Sequence, residues 1–379
     1  MRTVLTVILL SFILTSFSQN SKVVSAYNYQ RYGKLDKAKE AIDEAVQNEK
    51  TIGEAKAWFY RGNIYLDIAN STDSNFKKLD PDPLQKAFES YQQAMKLDEK
   101  QTYKEDIDKY LPAVAESYYN WGVVNYNMSN YKEAAKKFEK AYEVNKSIGK
   151  IDTTAIYNAA VSANIAGEDQ MAKADYLKVM DLKYSKPDIY SSLSEIYKKE
   201  GDTAQALETI QQGRVLFPED FNLLIAETNI YLTTNQKEKA QADLERAIDI
   251  DKTNPTIFFA VGTIYDQLGD FDKAKRAYTS ALELKPDYFD ANYNLGALYV
   301  NKAAEIQTKA NDLPLNETEK YNAEKAKADS LLNSSIPYLE KALELQPGDV
   351  NAMVSLKEIY TRLGMTDRLE KINQMLQEK

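Results

Sequence analysis

The side chains of this sequence that could react are hydroxyls, ammonium groups and carboxylates; it contains no cysteine and no histidine. Thiolate nucleophiles, disulfides, zinc sites with nitrogen or sulfur ligands, haem ligation through histidine and imidazole proton relays are therefore excluded. Acid–base catalysis by carboxylates needs two of them set against each other with different proton affinities. The pairs present, such as Glu40, Asp43 and Glu44, stand at helical surface spacings beside lysines and read as solvated faces. Asp73-Ser74-Asn75 faintly suggests a calcium loop, but no glycine holds the sixth place and Leu84 holds the twelfth, where a bidentate glutamate is required. A P-loop, a G-x-G-x-x-G turn and a nucleophile elbow are all missing. No cofactor, metal or catalytic residue is expected. The chemistry left to the chain is recognition, by burial of apolar side chains and by amide hydrogen bonds.

Composition says which elements must position such side chains. The 379 residues are 44% hydrophobic and 28% charged, with 13 Gly and 10 Pro. Ala, Leu, Lys and Glu dominate, all strong helix formers, and the length exceeds what one compact core usually serves. A net charge of −9, with both signs interleaved, argues against nucleic acid, whose binders carry basic patches. Met1-Arg2 followed by the uncharged run from Thr3 to Phe17, with small residues at Ser16 and Ser18, reads as a secretory signal peptide over residues 1–18. The run is shorter than the roughly 20 residues of a spanning helix, so no stable membrane insertion is expected after cleavage. Five Asn-x-Ser/Thr sequons occur, at Asn70, Asn127, Asn145, Asn316 and Asn333. Secreted glycoproteins usually carry disulfides as well, so a bacterial periplasm or cell exterior is the expected location.

Internal repetition is the strongest signal. Small or slim residues recur at Ala160, Ser194, Thr228, Gly262 and Gly296, each thirty-four positions after the last. Twelve positions beyond the first four stand Ala172, Ala206, Ala240 and Ala274. Bulky side chains follow at Tyr176, Ile210, Leu244 and Tyr278. Slim residues follow again at Val179, Gly213, Ala247 and Ala281. Seven positions after the markers stand Gly33, Ser129, Gly167, Gly201, Asn235, Gly269 and Gly364, the residue types that suit a left-handed turn between two helices.

This pattern resembles the tetratricopeptide repeat family. The unit Phe258, Val261-Gly262, Tyr265, Ala274, Tyr278, Ala281 and Pro286 carries the resemblance best, and Gly122, Ala134, Phe138 and Ala141 make another. The family implies an all-α, right-handed solenoid of helix–turn–helix units. About nine are expected here, with first helices at 26, 62, 122, 160, 194, 228, 262, 296 and 357. Gly62, Gly122, Ala134, Ala206, Ala240, Gly262, Ala274 and Gly296 are expected to let helices approach, with aromatic rings filling the space beside them. In the family the first helices line the concave face, which binds protein or peptide partners. The positions here are Phe59, Tyr119, Tyr157, Ser191, Ile225, Phe259 and Tyr293, and one turn on Asn63, Val123, Val161, Glu195, Asn229, Thr263 and Ala297. The eight strongest are Phe59, Asn63, Tyr119, Tyr157, Ile225, Asn229, Phe259 and Tyr293. Such rings serve equally to pack one repeat on the next. A basic clamp for a C-terminal carboxylate is missing, Lys198-Lys199 being the one basic pair on that face.

Two units break the spacing. The steps from Gly62 to Ala87 and from Gly296 to Ser335 are both at least twice the regular twelve positions. Residues 70–83 read as a polar loop, 98–111 as an additional link, and 301–333 as a helical hairpin protruding from the eighth unit, folded near Asp312-Leu313-Pro314 and opened by a capping box of Asn316 and Glu319. The expected organisation is N-terminal units over 19–150, a regular array over 151–300, the hairpin over 301–333 and capping helices over 334–379. A non-catalytic scaffold binding through the concave face is the leading expectation. The alternatives are an envelope-assembly subunit that docks through the hairpin and an enzyme.

Overall fold

Each regular helix begins where its repeat places it. In a computed structural model describing residues 22–377, helix fills residues 22–31 (α1) and then α2 (Leu35–Gln47), α3 (Ala55–Asn70), the single turn α4 (Ser74–Lys77) and α5 (Pro83–Leu97). There follow α6 (Lys104–Asn127), α7 (Tyr131–Ser147), α8 (Thr153–Ile165), α9 (Asp169–Asp181) and α10 (Pro187–Lys199). Beyond these lie α11 (Thr203–Leu216), α12 (Phe221–Thr233), α13 (Lys237–Ile250), α14 (Pro255–Gln267) and α15 (Phe271–Leu284). The last are α16 (Phe289–Asn311), α17 (Thr318–Leu345), α18 (Val350–Leu363) and α19 (Thr366–Gln377). No strand occurs among the described residues. The expected signal segment lies outside them.

The starts of α3, α8, α10, α12, α14, α16 and α18 all fall seven positions before the repeat marker. Local chemistry explains this: Pro187 and Pro255 take the first helical position, where a missing N–H is harmless. Asp152, Asp220, Asn254 and Asp349 cap α8, α12, α14 and α18 with side-chain oxygens. All seven turn residues named from the sequence have positive φ, from 57° at Asn235 to 82° at Gly201.

The chain forms two compact units, one ending at Asp202 and one beginning at Thr203, a division inside the regular array. In each, consecutive helices pair antiparallel through a small residue set against a ring. Added Cβ atoms would stand 2.5 Å from the Tyr91 ring at Gly62, 2.7 Å from Phe138 at Gly122 and 2.7 Å from Tyr278 at Gly262. At Gly296 the neighbour is Leu339, at 2.6 Å. Ala134, Ala206, Ala240 and Ala274 are fully buried. The buried tyrosines keep their hydroxyls satisfied: Tyr65 donates to Asp43 at 2.8 Å, Tyr91 to Asn63 at 2.7 Å and Tyr360 to Glu340 at 2.7 Å.

Three expectations are corrected. The link over 98–111 is shorter than expected: only residues 98–103 lie outside helix, because α6 already starts at Lys104, far ahead of Gly122, and carries Ile107 and Leu111, both fully buried, into the first unit's core. The expected loop over 70–83 contains α4, capped by Asp73, whose Oδ1 accepts from Asn75 N–H at 2.8 Å. The capping box does not form. Glu317, not Asn316, holds the N-cap of α17 and makes no side-chain cap bond.

The long helices α16 and α17 pack along their inserted lengths through Ala303, Ala310 and Ala328, all at most 1% exposed. Arg362 of α18 ties them down, its Nε donating to Asp329 at 2.9 Å and its Nη2 to Gln307 at 2.7 Å. The base of this hairpin is thus part of the C-terminal core, together with Met353, Leu356 and Tyr360.

Candidate functional site

The side chains read from the sequence as one face meet different fates. Phe59 is 6% exposed and closed to any ligand. Tyr103 stacks on its ring at 4.8 Å and Tyr110 lies at 6.1 Å, both delivered by the early start of α6. Asn63, partly buried, already accepts the hydroxyl of Tyr91. In the second unit Ile225 and Phe259 pack on the core around Tyr278, with Tyr288 5.1 Å from the Phe259 ring. Tyr293 stacks on Phe289 at 6.2 Å and leans on the C-terminal core. Asn229 alone of these four is exposed.

Between α6 and α8 the same face stays open. Val123, Tyr126, Phe138, Tyr157, Asn158, Val161 and Ser162 line a groove of about 190 Å³. Gly122 lets the Phe138 ring close against α6 as its floor, where Tyr119 meets that ring edge-on at 5.1 Å. Asn158 Nδ2 donates to the Tyr119 hydroxyl at 2.9 Å, fixing both side chains across the two helices. Val123 and Tyr126 remain 37% exposed, uncovered apolar surface on this face. The stripe read from the sequence stopped at Val123. Carrying it one turn further along α6 reaches Tyr126, so that residue was legible, whereas Asn158 stands one place off the stripe and was not.

Charge is distributed along this groove. On one side Tyr157 donates a short hydrogen bond to the Asp188 carboxylate, and Lys186 Nζ stands 4.3 Å from the Tyr157 ring centroid. Burial, and then that bond to Asp188, push the Tyr157 hydroxyl above its ordinary range, so it stays protonated. Toward the start of α8, Pro112, Ala115, Glu116, Tyr119, Asn145, Asp152 and Thr154 line a second depression of about 300 Å³. There Asp152 accepts from Ala155 N–H at 2.9 Å and from Asn145 Nδ2 at 3.0 Å. Glu116 is exposed. Tyr119 belongs to this depression and Asn158 to the apolar groove, so their hydrogen bond joins the two.

Such a surface can bury side chains and hydrogen-bond to them. Among the described residues no group of three or more metal-ligating side chains assembles, and no helix is long and apolar enough to cross a membrane.

Models of the tetratricopeptide repeat match residues 115–148 and 227–254, and a further TPR repeat model matches 262–302. Over 261 residues the chain is 23% identical to a BBSome complex member BBS4 homolog of Drosophila melanogaster, covering 66% of this chain and 47% of that protein. It is 29% identical over 168 residues to BBSome complex member BBS4 of Bos taurus, covering 44% of this chain and 30% of that protein. The chain thus spans less than half the length of either relative. Among solved structures it is similar to the C-terminal part of a TPR repeat-containing protein from Cytophaga hutchinsonii, with 16% identity and a TM-score of 0.49 over 68% of this chain and 93% of that one. It is similar also to YrrB, described as a TPR protein with an unusual peptide-binding site, with 22% identity and a TM-score of 0.38 over 59% of this chain and 99% of that one.

Proposed function

We infer a binding role from one fact: this chain is a tetratricopeptide-repeat protein. It is a non-catalytic scaffold that holds a protein or peptide partner, and the groove between α6 and α8 is the place of contact. The observation that carries this is the uncovered apolar lining of Val123 and Tyr126 beside Tyr157 and Val161, an open stretch of the first-helix face. Burying such surface is favourable by roughly 25 cal/mol per Å², and rigid helices lose little entropy on binding.

A photo-crosslinking amino acid at position 123 tests it. Protein adducts should form in the native host from position 123 and not from Lys136, exposed on α7. Equal yields from both positions, or none from 123, would refute the groove as the contact. Export belongs to the same reading, carried by the charged and then apolar N-terminus. Amino-terminal sequencing of the protein from its host should begin after Ser18.

A second reading rests on the tip of the hairpin. Leu315 is fully exposed there, beside a depression lined by Leu313, Pro314 and Tyr321. Docking through it predicts that Leu315→Asp abolishes partner capture while Val161→Glu does not.

A further inference from the structure

The groove and the acidic depression lie along one line, and together they specify a ligand. Glu116 and Val123 stand seven positions apart on α6, about 10 Å along the axis at roughly 1.5 Å per residue. Asp152 and Val161 flank the same two ends on α8. One end therefore presents two carboxylates, Glu116 and Asp152, the latter held by Ala155 N–H and Asn145, and the other end presents an apolar slot floored by Phe138. Lys186, the cation near the apolar end, is engaged with the rings of Tyr157 and Tyr184. A carboxylate end repels acidic peptides and attracts a basic side chain, and this complementarity decides the partner's sign.

We propose that the α6–α8 groove takes an extended segment bearing a lysine or arginine two or three residues from a Leu-, Ile- or Phe-sized side chain, the cation at Glu116 and Asp152 and the apolar group between Val123 and Val161. The spacing follows from chain geometry. Residues three apart in a polyproline-type segment share a face about 9 Å apart. Residues two apart in a β segment share one about 7 Å apart, and a long basic side chain spans the remainder. The proposal rests on the binding role inferred above and gives its partner a chemistry.

Selection from a displayed library of random peptides against the purified protein tests both. Selected peptides should share a basic residue two or three places from a large apolar one. In fluorescence anisotropy on synthetic versions, Glu116→Lys should weaken binding roughly three- to tenfold and Val161→Glu more than that, with affinity falling as salt rises. Both side chains stand at least partly open, and an unchanged helical melt confirms that each variant folds. Apolar peptides selected without regard to charge, sensitive to Val161→Glu and indifferent to Glu116→Lys, would overturn the proposed ligand and leave the binding role standing. Selection of peptides insensitive to both variants, or of none, would overturn both.

Discussion

At Gly262 one added carbon meets the core directly. A Cβ there would stand 2.7 Å from Cδ1, 2.8 Å from Cε1 and 3.1 Å from Cγ of Tyr278, a ring with no exposed surface. The ring cannot swing clear, because Val261, Tyr265, Ala274 and Leu295 pack in the same cluster. Gly262→Ala gains helix propensity of about 1 kcal/mol and loses about 1–3 kcal/mol to overpacking, so its net effect should be small or moderately destabilising. Gly262→Leu adds three more carbons and forces α14 from α15. Partial exposure of Tyr278 then adds to the overpacking, for a total of about 3–5 kcal/mol. In a unit of this size that lowers the melting temperature by about 6–20 °C. The preceding repeat shows the alternative solution, with Thr228 and Leu244 fully buried at the corresponding places. Gly262→Thr combined with Tyr278→Leu should therefore be more stable than the sum of the two single changes, by at least about 1 kcal/mol. Denaturant unfolding of the full chain, with hydrogen exchange on α14 and α15, measures this. An unchanged melt for Gly262→Leu, or strict additivity in the double variant, would refute the packing argument.

Three further outcomes follow from buried polar groups and from the hairpin. Arg214 pairs with Glu227 at 3.2 Å and faces Asp243 at 3.9 Å, while its Nε and one Asp243 oxygen lack hydrogen-bond partners. Other repeats place Met180, Ile248 or Leu282, then Val261 or Leu295, and Ala277 at these positions. Arg214→Met alone should cost about 3–5 kcal/mol in denaturant unfolding. Changing all three together (Arg214→Met, Glu227→Val, Asp243→Ala) should be neutral or stabilising by about 1–4 kcal/mol. Glu139 is pushed up to about 7, first by burial and then by the neighbouring charge of Asp175, which Lys178 holds at 3.0 Å. The folded state then binds this proton more tightly than the unfolded one, with its ordinary value of 4.5. That stability is complete below about pH 4.5 and is lost as pH rises to about 7. Melting temperature should fall across that window, and Glu139→Gln should flatten the slope. Replacing residues 301–333 by a short Gly-Ser turn should lower the melting temperature and expose α18 and α19 to protease, because Ala303, Ala328 and the Arg362 bonds are lost. Survival of both would show that the hairpin is not a cap.

Local rules and a fixed repeat made the framework legible. Turn residues with positive φ, helix starts seven positions before seven of the markers, and glycines set against rings all depend on neighbours a few places away or on one constant repeat period. Such relations can be read along a chain. The exposure of the binding face could not be read that way, because it depends on what an insertion lays across it. Phe59 and Tyr157 hold the same place in their repeats and carry similar rings. Yet Tyr103 and Tyr110, brought in by the early start of α6, seal the first, and the second lines an open groove. The pairing of Arg214 with Glu227 and Asp243 is of the same kind. Three charges on three helices look like solvated surface residues in sequence, and only the packing of α11 on α12 and α13 removes their water and makes each depend on the others.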